Sequence, residues 1–124
     1  MATPPAIEKR KYPRFPVQFR SSFSSVNVVG GEGLLHDLSV RGCQIESGTS
    51  VQPGTELRLL IHVSQEGDPL EIAVARVRWR QGQRFGAEFA DIHNEAWKRL
   101  CGLIQDLEHP LAAEGPSGPG RPRP

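Results

Sequence analysis

Between Phe15 and Phe89, hydrophobic residues recur at every second position in several short segments of the chain. This period of two predicts strands that have one buried face and one face in water. Glycine-rich or proline-containing stretches, such as residues 30–33 and 52–54, separate the segments. About six strands at this short, regular spacing are typical of an antiparallel barrel or sandwich.

The alternation also predicts which side chains face the core. In the first strand we expect these residues to share one face: Phe15, Val17, Phe19 and Phe23. We interpret the glycines before Leu34 as a turn, followed by two short strands on either side of a turn at residues 39–42. In a later strand the expected inward residues are Ala73, Ala75, Val77 and Trp79. Residues 81–83 predict a short hairpin turn before the last strand.

The period changes once, after the last predicted strand. From Ile92 to Leu107 the apolar residues follow the spacing of one face of an α-helix: Ile92, Ala96, Trp97, Leu100, Leu103, Ile104 and Leu107. A helix of about four turns needs an apolar surface to lie on. The pattern therefore predicts one C-terminal amphipathic helix packed on the barrel, with a partner chain as the alternative.

Proline placement divides the chain into three parts. Of the eleven prolines, four lie at or before Pro16 and five lie at or after Pro110. Residues 1–14 are predicted to be a flexible basic arm, and residues 15–107 the folded barrel and helix. Residues 108–124 are rich in proline and glycine, and we expect them to be disordered because they offer little apolar surface to bury.

Composition excludes several classes of protein. The formal net charge is only +1, and no apolar run reaches the roughly 18 residues that a membrane span requires. The first residues lack the features of a signal peptide, so we expect a cytoplasmic protein. The spacing of Cys43 and Cys101 forms no metal-binding or redox motif, and we interpret both as small buried hydrophobic residues.

No motif in the chain predicts catalysis. The four histidines lack metal-ligand spacing, Gly31-Glu-Gly33 is not followed by a strand-helix-strand unit, and Ser39 is not surrounded by a nucleophile elbow. We therefore expect a protein that is not an enzyme and needs no metal or cofactor. Among the basic residues, however, twelve are arginine and three are lysine, and arginine is favoured where phosphate is bound through two parallel hydrogen bonds.

Two short motifs remain as candidates for ligand binding. The basic arm carries Arg10 and Arg14 four positions apart, just before the first strand. The second motif is Asp37-x-Ser39-x-x-Gly42, which lies between two short strands. Its structural interpretation is a serine or Asx turn that ends with Gly42 in a left-handed conformation. Guanidinium groups bind phosphate and the O6/N7 edge of guanine, and a carboxylate accepts hydrogen bonds from the guanine N–H donors. A ligand that contains both guanine and phosphate would therefore bind to the arginines and to Asp37.

The two motifs in this order, followed by Phe85-Gly-Ala-Glu-Phe89 and a helix, resemble the PilZ domain family. The resemblance covers Glu8 to about Leu107. It implies an all-β core, a six-stranded antiparallel barrel with one C-terminal α-helix, and the bacterial second messenger cyclic di-GMP as ligand. By this resemblance the ligand-binding residues would be Arg10, Arg14, Asp37, Ser39 and Gly42.

Four further residues are candidates for additional ligand contacts: Lys9, Arg41, Trp79 and Arg80. Lys9 precedes the first arginine of the arm, and the resemblance to the PilZ family implies that this position influences whether one or two nucleotides bind. Trp79 could stack on a guanine, although a tryptophan in an alternating strand more often faces the core. The alternating arginines around Trp79 are either a solvated face or an extension of the site.

We therefore interpret the chain as a non-catalytic cyclic di-GMP receptor, whose arm closes over the nucleotide and alters contact with a downstream protein. One alternative is a PilZ-like interaction adaptor that binds no nucleotide. The other is a small β-barrel that binds RNA or single-stranded DNA, which we do not expect because few aromatic residues are available for base stacking. Both a monomer and a homodimer are compatible with the sequence.

Overall fold

The computed structural model describes residues 13–26, 28–64 and 67–108 of the chain. This part contains six strands and one helix: β1 (Phe15–Ser24), β2 (Gly31–Leu38), β3 (Gly42–Glu46), β4 (Glu56–His62), β5 (Leu70–Gln81), β6 (Arg84–Asp91) and α1 (Asn94–Glu108). The strands form a closed barrel in the order β1-β2-β3-β6-β5-β4, with antiparallel neighbours. The predicted six-stranded antiparallel barrel with one C-terminal helix is confirmed.

The predicted turn between the first two strands is confirmed at Gly30, which has a φ of 70°, but it does not extend to Leu34, because β2 already begins at Gly31. A Cβ at Gly31 would overlap the ring of Phe23 on β1, its partner in the sheet. A Cβ at Gly33 would stand 2.6 Å from the backbone oxygen of Glu46. Both glycines therefore permit close packing within the strand rather than a change of chain direction.

The inward residues of β5 also differ from the simple alternation. Ala73 is only partly buried, whereas Leu70 and Ile72 face the core at one end of the strand. An irregularity in the pairing with β6 between Val74 and Ala75 changes the face that points inward. The predicted hairpin turn that connects β5 to β6 is confirmed, and Gly82 there has a φ of 62°.

The helix closes one side of the hydrophobic core. Leu100 and Ile104 of α1 are buried, and α1 lies against β5. Burial of each of these side chains contributes roughly 1.5–3 kcal/mol. Trp97, which the spacing predicts on the same buried face of the helix, is instead 42% exposed. The guanidinium of Arg99 donates hydrogen bonds to the backbone oxygens of Asp68 and Pro69, at 2.8 and 3.1 Å, which ties the helix to the residues before β5.

Candidate functional site

An open cleft of about 390 Å³ lies where the start of β3 meets β5 and β6. The lining residues come from the residue before β1, the turn after β2, and the strands β3, β5 and β6: Arg14, Arg41, Gly42, Cys43, Arg78, Trp79, Gly86, Ala87 and Glu88. Four of the residues expected to bind a ligand are among them, namely Arg14, Gly42, Arg41 and Trp79. The barrel thus brings together residues that lie far apart in the chain.

The turn between β2 and β3 is organised by Ser39. Its hydroxyl accepts hydrogen bonds from the backbone N–H groups of Arg41 and Gly42, at 3.0 and 3.2 Å. The backbone N–H of Ser39 also donates to the oxygen of Gly42, at 2.9 Å. Ser39 is only 2% exposed, and its hydroxyl oxygen accepts the hydrogen bonds of the turn. It is not among the residues that line the cleft.

Gly42 is required by a close approach of two strands. The predicted left-handed conformation is wrong, because Gly42 is not among the glycines with positive φ. A Cβ at this position would overlap the backbone oxygen of Ala87, which lies next to the strand partner of Gly42 on β6. Glycine therefore lets β3 and β6 come together at the floor of the cleft.

Arg14 and Asp37 connect the two motifs found in the sequence. The Arg14 Nη1 donates a hydrogen bond of 3.0 Å to the Asp37 Oδ1, although the residues are 23 positions apart. β1 and β2 pair antiparallel, with Pro16 opposite Asp37, so the residue before β1 reaches the end of β2. Arg14 is 58% exposed and Asp37 is 23% exposed, so a ligand can reach both groups.

Trp79 stands on the outer face of β5. Val77 pairs with Ala87 and Trp79 pairs with Gly86, so that one extra residue, Arg78, is inserted in β5 between these pairs. This bulge shifts the alternation and turns Trp79 away from the core. The indole is 39% exposed and lies over Gly86, where a Cβ would overlap its Nε1.

Arginines and one carboxylate form the charged wall of the cleft. The Arg41 Nη2 lies 3.5 Å from the Glu88 Oε2, and the Arg78 Nε lies 3.6 Å from the Glu88 Oε1. Sequence reasoning missed Glu88 entirely, and it included Arg78 only as one member of an alternating basic stripe. Neither is marked by a local motif, because their meeting depends on the pairing of β5 with β6.

The sequence of the chain matches the family model of the PilZ domain over residues 8–106. The chain belongs to the PilZ family. A comparison with curated protein sequences found no match. The identification rests on most of the folded unit rather than on a single motif.

Several solved structures have the same fold. YcgR from Escherichia coli, solved in complex with c-di-GMP, matches with a TM-score of 0.70 and 16% identity, over 88% of this chain and 50% of that chain. The PilZ domain of CeSA from a cellulose-synthesizing bacterium matches with a TM-score of 0.61 and 17% identity, over 78% and 99%. The inhibitor of motility from Bacillus subtilis (MotI/DgrA) matches with a TM-score of 0.61 and 20% identity, over 82% and 52%. This PilZ chain thus spans half the length of the YcgR chain.

Of the described residues predicted to bind ligand, three do not line the cleft: Asp37, Ser39 and Arg80. Arg80 lies beyond the bulge, where its Nη1 donates to the Ser50 Oγ at 3.0 Å and its Nε donates to the oxygen of Gly82 at 3.2 Å. Lys9 and Arg10 lie outside the described residues, as do most of the predicted arm and tail.

No group of three or more histidine, cysteine or acidic side chains within residues 13–26, 28–64 and 67–108 could hold a metal ion. None of the helical residues described forms a span that could cross a membrane. Cys43 is buried beneath the cleft, and this burial raises the pKa of its thiol. Cys43 is therefore protonated at neutral pH, which does not favour a role as nucleophile or metal ligand.

Proposed function

We propose that this PilZ domain is a receptor for cyclic di-GMP and binds it in the cleft beside the start of β3. The observation that carries the proposal is the 3.0 Å ion pair between Arg14 and Asp37, which joins the two sequence motifs at the cleft. YcgR, which shares the fold, was solved with c-di-GMP bound. That complex supports the choice of ligand.

The chemistry of the cleft suits a guanine dinucleotide. The guanidinium groups of Arg14, Arg41 and Arg78 line the cleft and can donate hydrogen bonds to phosphodiester oxygens. The Asp37 carboxylate, which pairs with Arg14, can accept the guanine N1–H and N2–H. Trp79 offers an exposed aromatic face for a base to stack on. Each charge-assisted hydrogen bond contributes roughly 1.5–3 kcal/mol, so a few of them suffice for micromolar affinity, about 8 kcal/mol.

Ser39 and Gly42 contribute through the shape of the site. We assign to the Ser39 hydroxyl the role of holding the turn that carries Arg41 and follows Asp37, since its hydrogen bonds are made within the turn. Gly42 keeps the floor of the cleft free of a side chain. These two residues of the motif thus position the groups that meet the ligand.

We further propose that the arm closes over the bound nucleotide. Arg10 lies four positions before Arg14 in the sequence, and Lys9 precedes it. Closure would change the surface that a downstream protein meets. Hydrogen–deuterium exchange of the full chain tests this step: cyclic di-GMP should slow exchange in residues 1–14, and unchanged exchange at saturating ligand would contradict closure.

Isothermal titration calorimetry of the full chain with cyclic di-GMP tests the function. The Arg14→Ala and Asp37→Ala variants should each bind about 10- to 100-fold more weakly, which is the loss of one or two charge-assisted hydrogen bonds. Arg58→Ala is the matched control, because Arg58 is also 58% exposed and also pairs with a carboxylate, that of Glu71, but lies outside the cleft.

Three results would contradict the proposal: no binding at tens of micromolar, equal affinity of the Arg14 and Asp37 variants with the parent, or equal losses in the Arg58 control. The first result would favour an adaptor that works without nucleotide. An RNA- or DNA-binding barrel is less well supported, because the chain has only two tryptophans and one tyrosine, and such proteins usually expose several aromatic side chains for base stacking. Steeply salt-dependent oligonucleotide binding would be its signature.

A further inference from the structure

Glu88 of β6 lies between two arginines of the cleft that come from different elements. Arg41 belongs to the turn after β2 and Arg78 is the inserted residue of the β5 bulge. Each guanidinium approaches a different oxygen of the same carboxylate, at 3.5 and 3.6 Å. We propose that Glu88 shifts the selectivity of the cleft toward less highly charged ligands, so that a cyclic dinucleotide competes better with its linear hydrolysis product than it would without this carboxylate. This inference rests on the proposed function.

The barrel fixes the position of this carboxylate. Ala87 and Phe89, the neighbours of Glu88 on β6, are 5% and 9% exposed and face the core. Alternation therefore directs Glu88 outward. On either side β6 pairs with β3 and β5, so that Glu88 lies opposite Gly42 on one strand and Arg76 on the other. Because Gly42 has no side chain, the space between Glu88 and the turn stays open to Arg41.

Both contacts with Glu88 are longer than the roughly 2.7–2.9 Å of a charge-assisted hydrogen bond. The side chains of Arg41 and Arg78 are 55% and 59% exposed, so a phosphate in the cleft can reach both guanidinium groups. A phosphate that binds them must compete with Glu88, and afterwards the carboxylate remains beside the phosphate as a like charge.

This competition affects more highly charged ligands more strongly. Cyclic di-GMP carries one negative charge on each of its two phosphodiester groups. When water breaks one P–O bond of the ring, the linear product gains a free hydroxyl at one end and a phosphomonoester at the other, which carries about 1.5–2 negative charges near pH 7. Ring opening therefore raises both the attraction to the three guanidinium groups that line the cleft and the repulsion from Glu88, so Glu88 offsets part of what the linear product would gain from its extra charge.

The Glu88→Gln variant removes the charge and keeps the size of the side chain. We expect it to bind cyclic di-GMP about two- to fivefold more tightly than the parent at low salt, in the range measured for exposed ion pairs. The linear dinucleotide should gain more, so that the preference for the cyclic form falls. Both gains should shrink at high ionic strength, because screening weakens interactions of exposed charges. A purely structural effect would not follow the salt concentration in this way.

The experiment is a calorimetric titration of the parent, Glu88→Gln and Glu71→Gln with both dinucleotides, at low and high salt. Glu71→Gln makes the same change in net charge at an ion pair outside the cleft, and should leave the preference unchanged. Thermal unfolding of each variant verifies that it is folded. Equal gains for both dinucleotides, weaker binding by Glu88→Gln, or the same change in Glu71→Gln would overturn the inference.

The parent titration separates the two proposals. If the parent binds cyclic di-GMP and Glu88→Gln behaves like it, only the role of Glu88 is overturned. If no variant binds the nucleotide, the proposed function fails, and the role of Glu88 fails with it.

Discussion

The indole of Trp79 lies over Gly86, its partner across β5 and β6, and occupies the space that a Cβ at residue 86 would need. The bulge at Arg78 turns the indole outward, and the missing side chain at residue 86 lets it lie against the sheet. As a result, one wall of the cleft is an aromatic face held by backbone geometry.

Tryptophan fluorescence should report ligand binding through Trp79 alone. The chain has two tryptophans, and Trp97 of α1 does not line the cleft. We expect cyclic di-GMP to change the emission of the Trp97→Phe variant, because a stacked base changes the surroundings of the remaining indole. The Trp79→Phe variant should show no change in the emission of Trp97. A response of equal size in both variants would contradict stacking at Trp79.

The ion pair of Arg14 with Asp37 should matter far more for binding than for stability. Both side chains are accessible to water, and exposed pairs contribute only about 0.2–1 kcal/mol. A double-mutant cycle of Arg14→Ala and Asp37→Ala in urea unfolding should therefore give a coupling energy within that range. A coupling energy well above about 1 kcal/mol without ligand would show that the pair is chiefly structural.

Substitution of Gly42 should destabilise the barrel. In Gly42→Ala the new Cβ meets the backbone oxygen of Ala87, and a backbone atom cannot move aside as a flexible side chain can. We expect the free energy of unfolding to fall by about 1–3 kcal/mol, as in other overpacked sites. Gly48→Ala is the control, since nothing lies within 4 Å of its Cβ position, and it should change stability by less than about 0.5 kcal/mol.

Removal of the Ser39 hydroxyl should destabilise the turn between β2 and β3. Ser39→Ala leaves the backbone N–H groups of Arg41 and Gly42 without the oxygen that they now share. Loss of a buried partner costs about 1–3 kcal/mol. Ser64 also accepts a backbone N–H, that of Gly67 at 3.0 Å, but in an exposed position where water can replace it. Urea unfolding should therefore show a clear loss for Ser39→Ala and little change for Ser64→Ala.

Cys43 should lower the stability of the domain at alkaline pH. Burial raises the pKa of its thiol in the folded protein, whereas the thiol of the unfolded chain ionises at about 8.5. Above that pH the unfolded state loses a proton that the folded state keeps. Stability is therefore lost as pH rises, by about 1.4 kcal/mol for each pH unit beyond the unfolded pKa. The loss continues until the pH reaches the folded pKa.

Comparison with Cys43→Ala isolates this effect from other alkaline titrations. The free energy of unfolding of the variant should decline less steeply between pH 8 and 10 than that of the parent. Equal slopes would contradict a buried, protonated thiol. Cys101, which is only partly buried, should react with a thiol reagent well before Cys43 in the folded protein.

The hydrophobic pattern of the chain was enough to predict about six strands, the helix and the turn that carries the second motif, whereas the choice of a barrel over a sandwich came from the resemblance to the PilZ family. Alternation of hydrophobic residues and a single change to helical spacing are properties of consecutive residues, and neighbouring elements of this fold are mostly joined by short turns. The pattern Asp37-x-Ser39-x-x-Gly42 also predicted a turn correctly, because side-chain hydrogen bonds within a turn span only a few residues.

The tertiary structure decided where strand pairing departs from regular alternation. Gly31, Gly42 and Gly86 are glycines because a neighbouring strand or ring approaches each of them, and Trp79 faces outward because of a one-residue bulge. The meeting of Glu88 with Arg41 and Arg78 depends on the same pairings. A strand's own residues specify its two faces, but only its register with both neighbours specifies which side chains share a cleft.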